Sequence, residues 1–358
     1  MSPNQVTQIV PTLTPDVSGL GDYAFLLAQV LRSEFDLTTY FVLGNPEWRG
    51  DVDVDGFPVQ KILQRSRAGL LAQLNSSPIV LQYEGYGYAR RGYPAWLWQG
   101  LHHWQVKTAS CWVTIFHEVY PYDHGPFWTS SFWLSPWQRH LAGQLVRGSH
   151  YALTSKESYR RLLLKLRRDR KTPITALPVC SNIGEPTGLR PLRDRARRLV
   201  VFGHPNSRRL VYQRDYAALV HACQAFGITE LCDIGVPMGN PIPPIPNVKM
   251  LALGILAPAQ ISAIMQDAIA GFISFIPPDY LAKSGVFAAY CAHGLLPILA
   301  QRGNKPMDGL LIGKHYWVSN PGHSISLATG QCIADNAHAW YAGHRLYAHA
   351  QTIAHAIR

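Results

Sequence analysis

QVTQIVPTLTPDVSGLGDYAFLLAQVL, residues 5–31, holds a complete strand–loop–helix unit. Residues 5–10 form a short β-rich run that Pro11 ends. Over residues 20–34 the apolar side chains return at helical spacing, through Tyr23, Leu26, Leu27, Val30 and Leu31. The loop between them carries Gly19, Gly21 and Asp22. Glycines there permit tight turns and close ligand approach. The helix start behind them offers unpaired N–H groups and a partial positive charge. Ligands of open α/β sheets bind at such strand exits. The plainer reading is a βα turn with Asp22 as helix cap.

The same alternation runs outward from this unit. Strand-like runs recur at 37–43, 79–82, 111–116, 152–154 and 174–179, with helical spacing at 66–74, 95–105, 138–146 and 156–168. Residues 181–198, SNIGEPTGLRPLRDRARR, interrupt the pattern and read as a linker. Strands then resume at 199–202, 231–234, 249–253, 271–276 and 296–299, with helices at 212–226, 258–266, 284–293 and 337–357. Apolar strands separated by helices predict parallel sheets covered on both faces, hence an α/β chain of two domains.

Composition narrows the function. The 358 residues are 47% hydrophobic, 15% charged and 11% aromatic, which argues against disorder. No apolar run is long enough to span a bilayer, and residues 1–13 lack the pattern of a signal peptide. Six cysteines lie far apart and never as CxxC, which predicts reduced thiols in a cytoplasmic protein. A formal charge of +11 suits an anionic partner: nucleic acid, membrane surface or a phosphorylated small molecule.

Three further constellations join the first loop. His117-Glu118 follows the strand at 111–116, where site residues collect, although such a histidine also serves simply to bind backbone. Lys283-Ser284-Gly285 opens an apolar helix with a cation, a hydroxyl and free N–H groups, a cradle for diphosphate; the bland alternative makes Ser284 only a cap. Gly203 to Arg209, GHPNSRR, follows the first strand of the second half, and Arg208 and Arg209 there could grip phosphate bidentately.

Taken together, in order and spacing, these positions resemble the GT-B glycosyltransferases, nearest to their family 4. TPDVSGLGDYAFLLAQVL (14–31) is similar to that family's first glycine loop, VTIFHEVYP (113–121) to its His-acid pair and VVFGHPNSRR (200–209) to the opening of its second domain. Leu253-Gly254-Ile255-Leu256, DAIAGFISFIPP (267–278) and AAYCAHGLLPIL (288–299) match its later segments, so the resemblance covers about residues 8–300. One pattern departs. The family's paired glutamates, which contact donor sugar and ribose, fall on Leu281 and Ala289, with Asp279 the nearest acid.

The resemblance implies two Rossmann-like domains facing across a cleft: residues 1–182, completed by the terminal helix 337–358, and residues 183–336. It implies transfer of a sugar from a nucleotide-diphosphate donor to a glycan or lipid-linked acceptor, retaining and without metal or other cofactor. Catalytic positions would be Asp22, His117 and Glu118; donor phosphate would meet Gly19, Gly21, Arg208, Arg209, Lys283, Ser284 and Gly285. Gly203, Gly254, Ile255, Leu256 and Asp279 would hold the nucleotide. The alternative is a catalytically degenerate relative that binds nucleotide or glycan as an accessory subunit.

Other signals carry less. Asp51, Asp53 and Asp55 suggest a metal motif, but position twelve of a calcium loop is Ile62, so an exposed acidic turn is expected. No helix-turn-helix, RNP or zinc pattern supports nucleic acid as partner. The basic runs 160–171 and 190–198, with Trp96, Trp98, Trp104, Trp128, Trp133 and Trp137 nearby in sequence to the first, suit peripheral contact with an anionic membrane surface at its inner face, or ordinary solvated helices and packing.

Overall fold

The computed structural model describes residues 4–16, 18–121, 130–168, 171–239, 241–275, 279–301, 306–322 and 324–358. Val17, Trp128, Asp169, Arg170 and residues 276–278, which the sequence reading also touched, lie outside the described residues. The chain divides into two compact units: Met1–Leu177 with Leu346–Arg358, and Pro178–Arg345.

The first unit opens with β1 (Gln5–Val10), α1 (Gly19–Phe35), β2 (Thr38–Leu43), β3 (Asp53–Val54), β4 (Phe57–Lys61) and α2 (Arg67–Leu71). It continues through β5 (Ile79–Tyr83), α3 (Gly85–Tyr88), α4 (Ala95–Thr108), β6 (Trp112–Phe116), α5 (Ser130–Gly148), β7 (Tyr151–Thr154), α6 (Glu157–Arg167) and β8 (Ile174–Ala176). Its sheet runs β3-β4-β2-β1-β5-β6-β7-β8, parallel apart from the β3–β4 hairpin. Every residue of β5 and β6 is buried, because helices cover both faces. The hairpin explains the aspartates: Asp55 and Gly56 take φ of 55° and 77°, and the Gly56 N–H donates to Asp53 Oδ1 at 2.8 Å. They form an exposed turn.

The second unit contains β9 (Ala196–Phe202), α7 (Pro205–Gln213), α8 (Tyr216–Ala225), β10 (Glu230–Ile234), β11 (Lys249–Gly254), α9 (Pro258–Asp267), β12 (Ala268–Ile273), α10 (Gly285–Ala292), β13 (Leu296–Leu299), β14 (Trp317–Val318) and α11 (Leu327–Ala342). All its strand pairs are parallel, in the order β11-β10-β9-β12-β13-β14. This is the Rossmann arrangement, reversing direction between β9 and β12; the first unit reverses between β1 and β5.

A buried tyrosine sits at each reversal. Tyr88 Oη lies 3.0 Å from Ile9 O and 2.9 Å from Gln82 O, joining β1 to β5. Tyr290 Oη lies 3.1 Å from Val200 O and 3.3 Å from Phe272 O, and accepts from the Phe202 N–H at 3.2 Å. Gly271 makes room for it, since a Cβ there would fall 2.5 Å from the Tyr290 ring.

Two helices differ from the sequence reading. Residues 203–209 are not an open loop, because α7 begins at Pro205, whose fixed φ suits a first helical position, with His204 Nδ1 accepting from the Asn206 N–H. The single helix expected over 337–357 is two, α11 ending against Gly343 and a terminal helix at Leu346–Ile357. The terminal helix packs in the first unit: Tyr23 Oη and His349 Nδ1 are 2.9 Å apart in the core, and Cys111 Sγ donates to Ala356 O.

One buried base sets an acid limit. His293 is fully buried, with Nδ1 2.8 Å from Ala289 O and Nε2 2.9 Å from Ser262 Oγ. Burial first, then the nearby Arg195 and His338 charges, hold its pKa down to about 4 from 6.5. The folded state therefore favours neutral imidazole. Stability is complete above pH 6.5 and is lost as pH falls toward 4, by up to about 3 kcal/mol. Urea melts at neutral and acid pH should show that loss, and His293→Gln should flatten it; an unchanged slope in the variant contradicts the assignment.

Candidate functional site

The second unit gathers glycines at the carboxyl ends of three neighbouring strands. Gly203 after β9, Gly235 after β10 and Gly254 ending β11 take φ of 125°, 139° and 67°. Backbone bonds link them: Gly203 N–H to Ile234 O at 3.2 Å, and Gly235 N–H to Gly254 O at 2.8 Å. A Cβ at Gly235 would lie 2.5 Å from Gly203 O, and one at Gly203 would lie 2.9 Å from Val286 Cγ2. The first turn of α10 therefore packs directly on the β9 exit. Gly203, Gly254 and the Lys283–Gly285 segment come together as a ridge of backbone, and Gly235 joins them unforeseen.

Lys283 ends a 3₁₀ turn, Leu281–Lys283, and is half-buried. Ser284 is the N-cap of α10, its Oγ accepting from the Phe287 N–H at 3.1 Å. It is thus the cap, though its hydroxyl proton remains for another acceptor. Gly285 is exposed in the first helical turn, where N–H groups lack partners within the helix. Ile255 is exposed, Leu256 half-buried and Asp279 exposed. Leu281 and Ala289, at the positions of the family's glutamates, are both core residues.

Arg208 corrects the sequence reading. Its side chain is 1% exposed and pairs with Asp233 at 2.9 Å, while a second nitrogen donates to Val236 O. Tyr212 Oη also donates to Asp233, at 2.8 Å. Position on α7 turns this guanidinium inward beneath the strand ends, so it holds the β10 exit in place and cannot grip a ligand phosphate. Arg209 is half-buried and bonds Asn206 Oδ1 at 3.1 Å and Met238 O at 3.2 Å. Arg214 forks onto Asp215 with two 3.0 Å bonds and reaches buried Ser274 Oγ, just past β12, at 2.8 Å.

In the first unit the analogous edge holds the other predicted residues. Ser18 caps α1 by accepting from the Gly21 N–H at 3.1 Å. A Cβ on Gly21 would lie 2.8 Å from Thr12 O, whereas Gly19 faces open space. Asp22 is an exposed acid in the first turn of α1, yet local burial raises its pKa. His117 and Glu118 leave β6 half-buried. Tyr23, the neighbour of Asp22, meets the His117 ring edge-on with centroids 5.3 Å apart, which brings the glycine loop and the His-Glu pair together.

His117 ends a buried file of amides that the sequence reading missed. Its Nε2 is 2.7 Å from Gln82 Oε1, Gln82 Nε2 is 2.9 Å from Gln8 Oε1, and Gln8 Nε2 lies 3.4 Å from both Ala24 O and Thr39 Oγ1. A carbonyl can only accept, so Gln8 must donate to Ala24 O and accept from Gln82. Gln82 then presents its oxygen to His117, which must donate through Nε2–H. The file thereby fixes the tautomer and leaves Nδ1 as the basic nitrogen of neutral His117. Gln8 and Gln82 inside otherwise apolar strands, TQIV and VLQY, were the available signal.

No family model matches the sequence, and no curated protein matches it significantly. The structure matches Anabaena HepE in complex with UDP and glucose, with a TM-score of 0.59 at 12% identity, covering 98% of each chain. It matches WaaG, a glycosyltransferase involved in lipopolysaccharide biosynthesis, at 0.56 and 12%, covering 98% of this chain and 99% of the other. A third match is α,α-trehalose 6-phosphate synthase from Burkholderia multivorans, at 0.54 and 12%, covering 99% and 96%. These likenesses show the fold: the chain has the GT-B architecture.

Proposed function

We propose that the chain is a glycosyltransferase that moves a sugar from a nucleotide-diphosphate donor to a glycan or lipid-linked acceptor. The observation that carries this reading is the ridge of Gly203, Gly235 and Gly254 beside the α10 N-terminus and Lys283, on the carboxyl edge of a Rossmann-ordered sheet. Positive-φ glycines, lacking side chains, leave room for a diphosphate to reach the N–H groups in the first turn of α10. Lys283 and the α10 amino end stabilise the charge that grows as the sugar–phosphate bond breaks, so no metal is required. Ile255 and Leu256 offer apolar cover for a base, and Asp279 an acceptor for ribose hydroxyls.

On the first unit, Gly19 and Gly21 border the acceptor, and His117 beside them serves as a basic group there. Glu118 and the raised-pKa Asp22 supply the remaining acid–base groups. With Leu281 and Ala289 in place of glutamates, the donor sugar is held by backbone and Lys283, and retention of configuration is the family's habit carried over.

A thermal-shift panel of UDP-, GDP- and ADP-sugars tests the reading, with UDP-glucose first because the HepE structure holds UDP and glucose. The cognate donor at about 100 times its Kd should stabilise by roughly 2.7 kcal/mol. Nucleotide release should then persist in EDTA. A panel in which no nucleotide sugar shifts the melt or is hydrolysed defeats the proposal.

The acceptor side includes an anionic membrane surface. Among the described residues no helix is long and apolar enough to cross a membrane. Helix α5 exposes Trp133 and Trp137, and Arg139, His140, Arg147, Lys165 and Arg168 line one groove of about 490 Å³ along α5 and α6. In α6, Leu163 and Leu166 pack inward, Leu162 and Leu164 are half-buried, and Arg161 projects outward. Each near-surface cation contributes about 1 kcal/mol to anionic lipid binding. Flotation with anionic vesicles should carry the protein upward at low salt, and Arg139→Glu with Lys165→Glu should abolish this; equal flotation with neutral vesicles refutes the electrostatic contact.

A further inference from the structure

The amino end of the second sheet holds a cavity of about 520 Å³. Arg190, Arg193 and Arg195 line it from the segment before β9, and Gln331, Asp335 and His338 line it from one face of α11. Gly294, which opens on it, precedes β13. The strand-end glycines lie at the opposite end of the same sheet. A volume of this size is in the range of small-molecule sites.

The lining is built, not merely charged. Arg195 is 6% exposed, and its nitrogens donate to Arg190 O at 2.8 Å, His293 O at 3.0 Å and Ala268 O at 3.2 Å. Carbonyls orient this guanidinium without cancelling its charge. Burial and the neighbouring Arg190 charge hold its pKa down to about 10, opposed by the Asp267 and Asp335 carboxylates. Arg190 is paired with Asp267 at 2.9 Å, and Arg193, largely exposed at the mouth, lies 3.7 Å from the exposed Asp194 carboxylate. On the facing wall Gln331 accepts from the Leu192 N–H at 2.6 Å and donates to Asp335 Oδ1 at 2.8 Å, which fixes the carboxylate. His338 spends Nδ1 on Cys291 O at 3.0 Å, leaving Nε2 for a ligand.

Cations on one wall and fixed hydroxyl acceptors on the other fit a single ligand class. We propose that this cavity binds a phosphorylated sugar, with phosphate on Arg190, Arg193 and Arg195 and hydroxyls on Asp335 and His338. The site is independent of the donor reading and distinct from the strand-end ridge.

Calorimetry on the full chain tests it with ribose 5-phosphate, glucose 6-phosphate, inorganic phosphate and ribose. Sugar phosphates should bind more tightly than phosphate, and ribose should give no heat. Arg193→Ala, at a side chain 79% exposed, should weaken sugar phosphates and phosphate about tenfold without disturbing the fold. Asp335→Ala should weaken the sugar phosphates alone. Both variants should keep the wild-type response to UDP-sugars. The proposal is overturned if both sugar phosphates are silent, if their binding survives Arg190→Ala with Arg193→Ala, or if UDP displaces them.

Discussion

Arg208→Ala is expected to lower the unfolding free energy by about 3–5 kcal/mol, because it strands Asp233 in a buried site. Burial already pushes the Asp233 carboxyl up, opposed by donation from Tyr212 and by the Arg208 charge. Without the guanidinium, the folded protein keeps this acid only by protonating it, so the deficit should shrink as pH falls. Removing both charges, as Arg208→Met with Asp233→Asn, should recover much of the loss. Arg209→Ala, next in sequence but half-exposed, should cost less than about 1 kcal/mol. Urea titrations of the three variants and the wild type at two pH values measure all of this. Equal, small effects at Arg208 and Arg209 would return Arg208 to the ligand-binding role that its sequence position suggested.

Lys283→Ala should reduce turnover about 10²-fold or more while leaving the melting temperature near wild type. Lys283 is half-buried on the 3₁₀ turn that leads into α10, so its charge works in a partly desolvated setting beside the helix N–H groups. If it acts on the leaving diphosphate, the loss falls mainly in kcat, since that charge develops during bond breaking. A loss confined to donor KM would make Lys283 a ground-state anchor. Near-normal turnover on the true substrates would remove it from the reaction altogether.

Much of this was legible before any coordinates. Apolar strands such as LVVF and IVLQY, each followed by a glycine and helical spacing, specified a doubly wound α/β chain because burial on both faces leaves little else. The first glycine loop and His117 could be placed for the same reason. Arg208 was misread because sequence shows charge but not direction: a helix starting at Pro205 turns one arginine inward and its neighbour outward. Helix α7 hid behind a loop-like GHPNS, and the hairpin at residues 53–61 behind an acidic motif. The glutamine file went unseen, since a single amide in an apolar strand announces itself only when its partners across the sheet are known.

The helix at Leu346–Ile357 gives the chain an order of assembly. A ribosome would deliver every strand of the first sheet, and then the whole second unit, before supplying the segment that places His349 against Tyr23 and Ala356 against Cys111. Until then one flank of α1 stays wet. The half of the molecule that is born first is therefore the last to be finished, and a nonsense codon or protease cut just ahead of Leu346 would damage the far end of the gene product's own beginning.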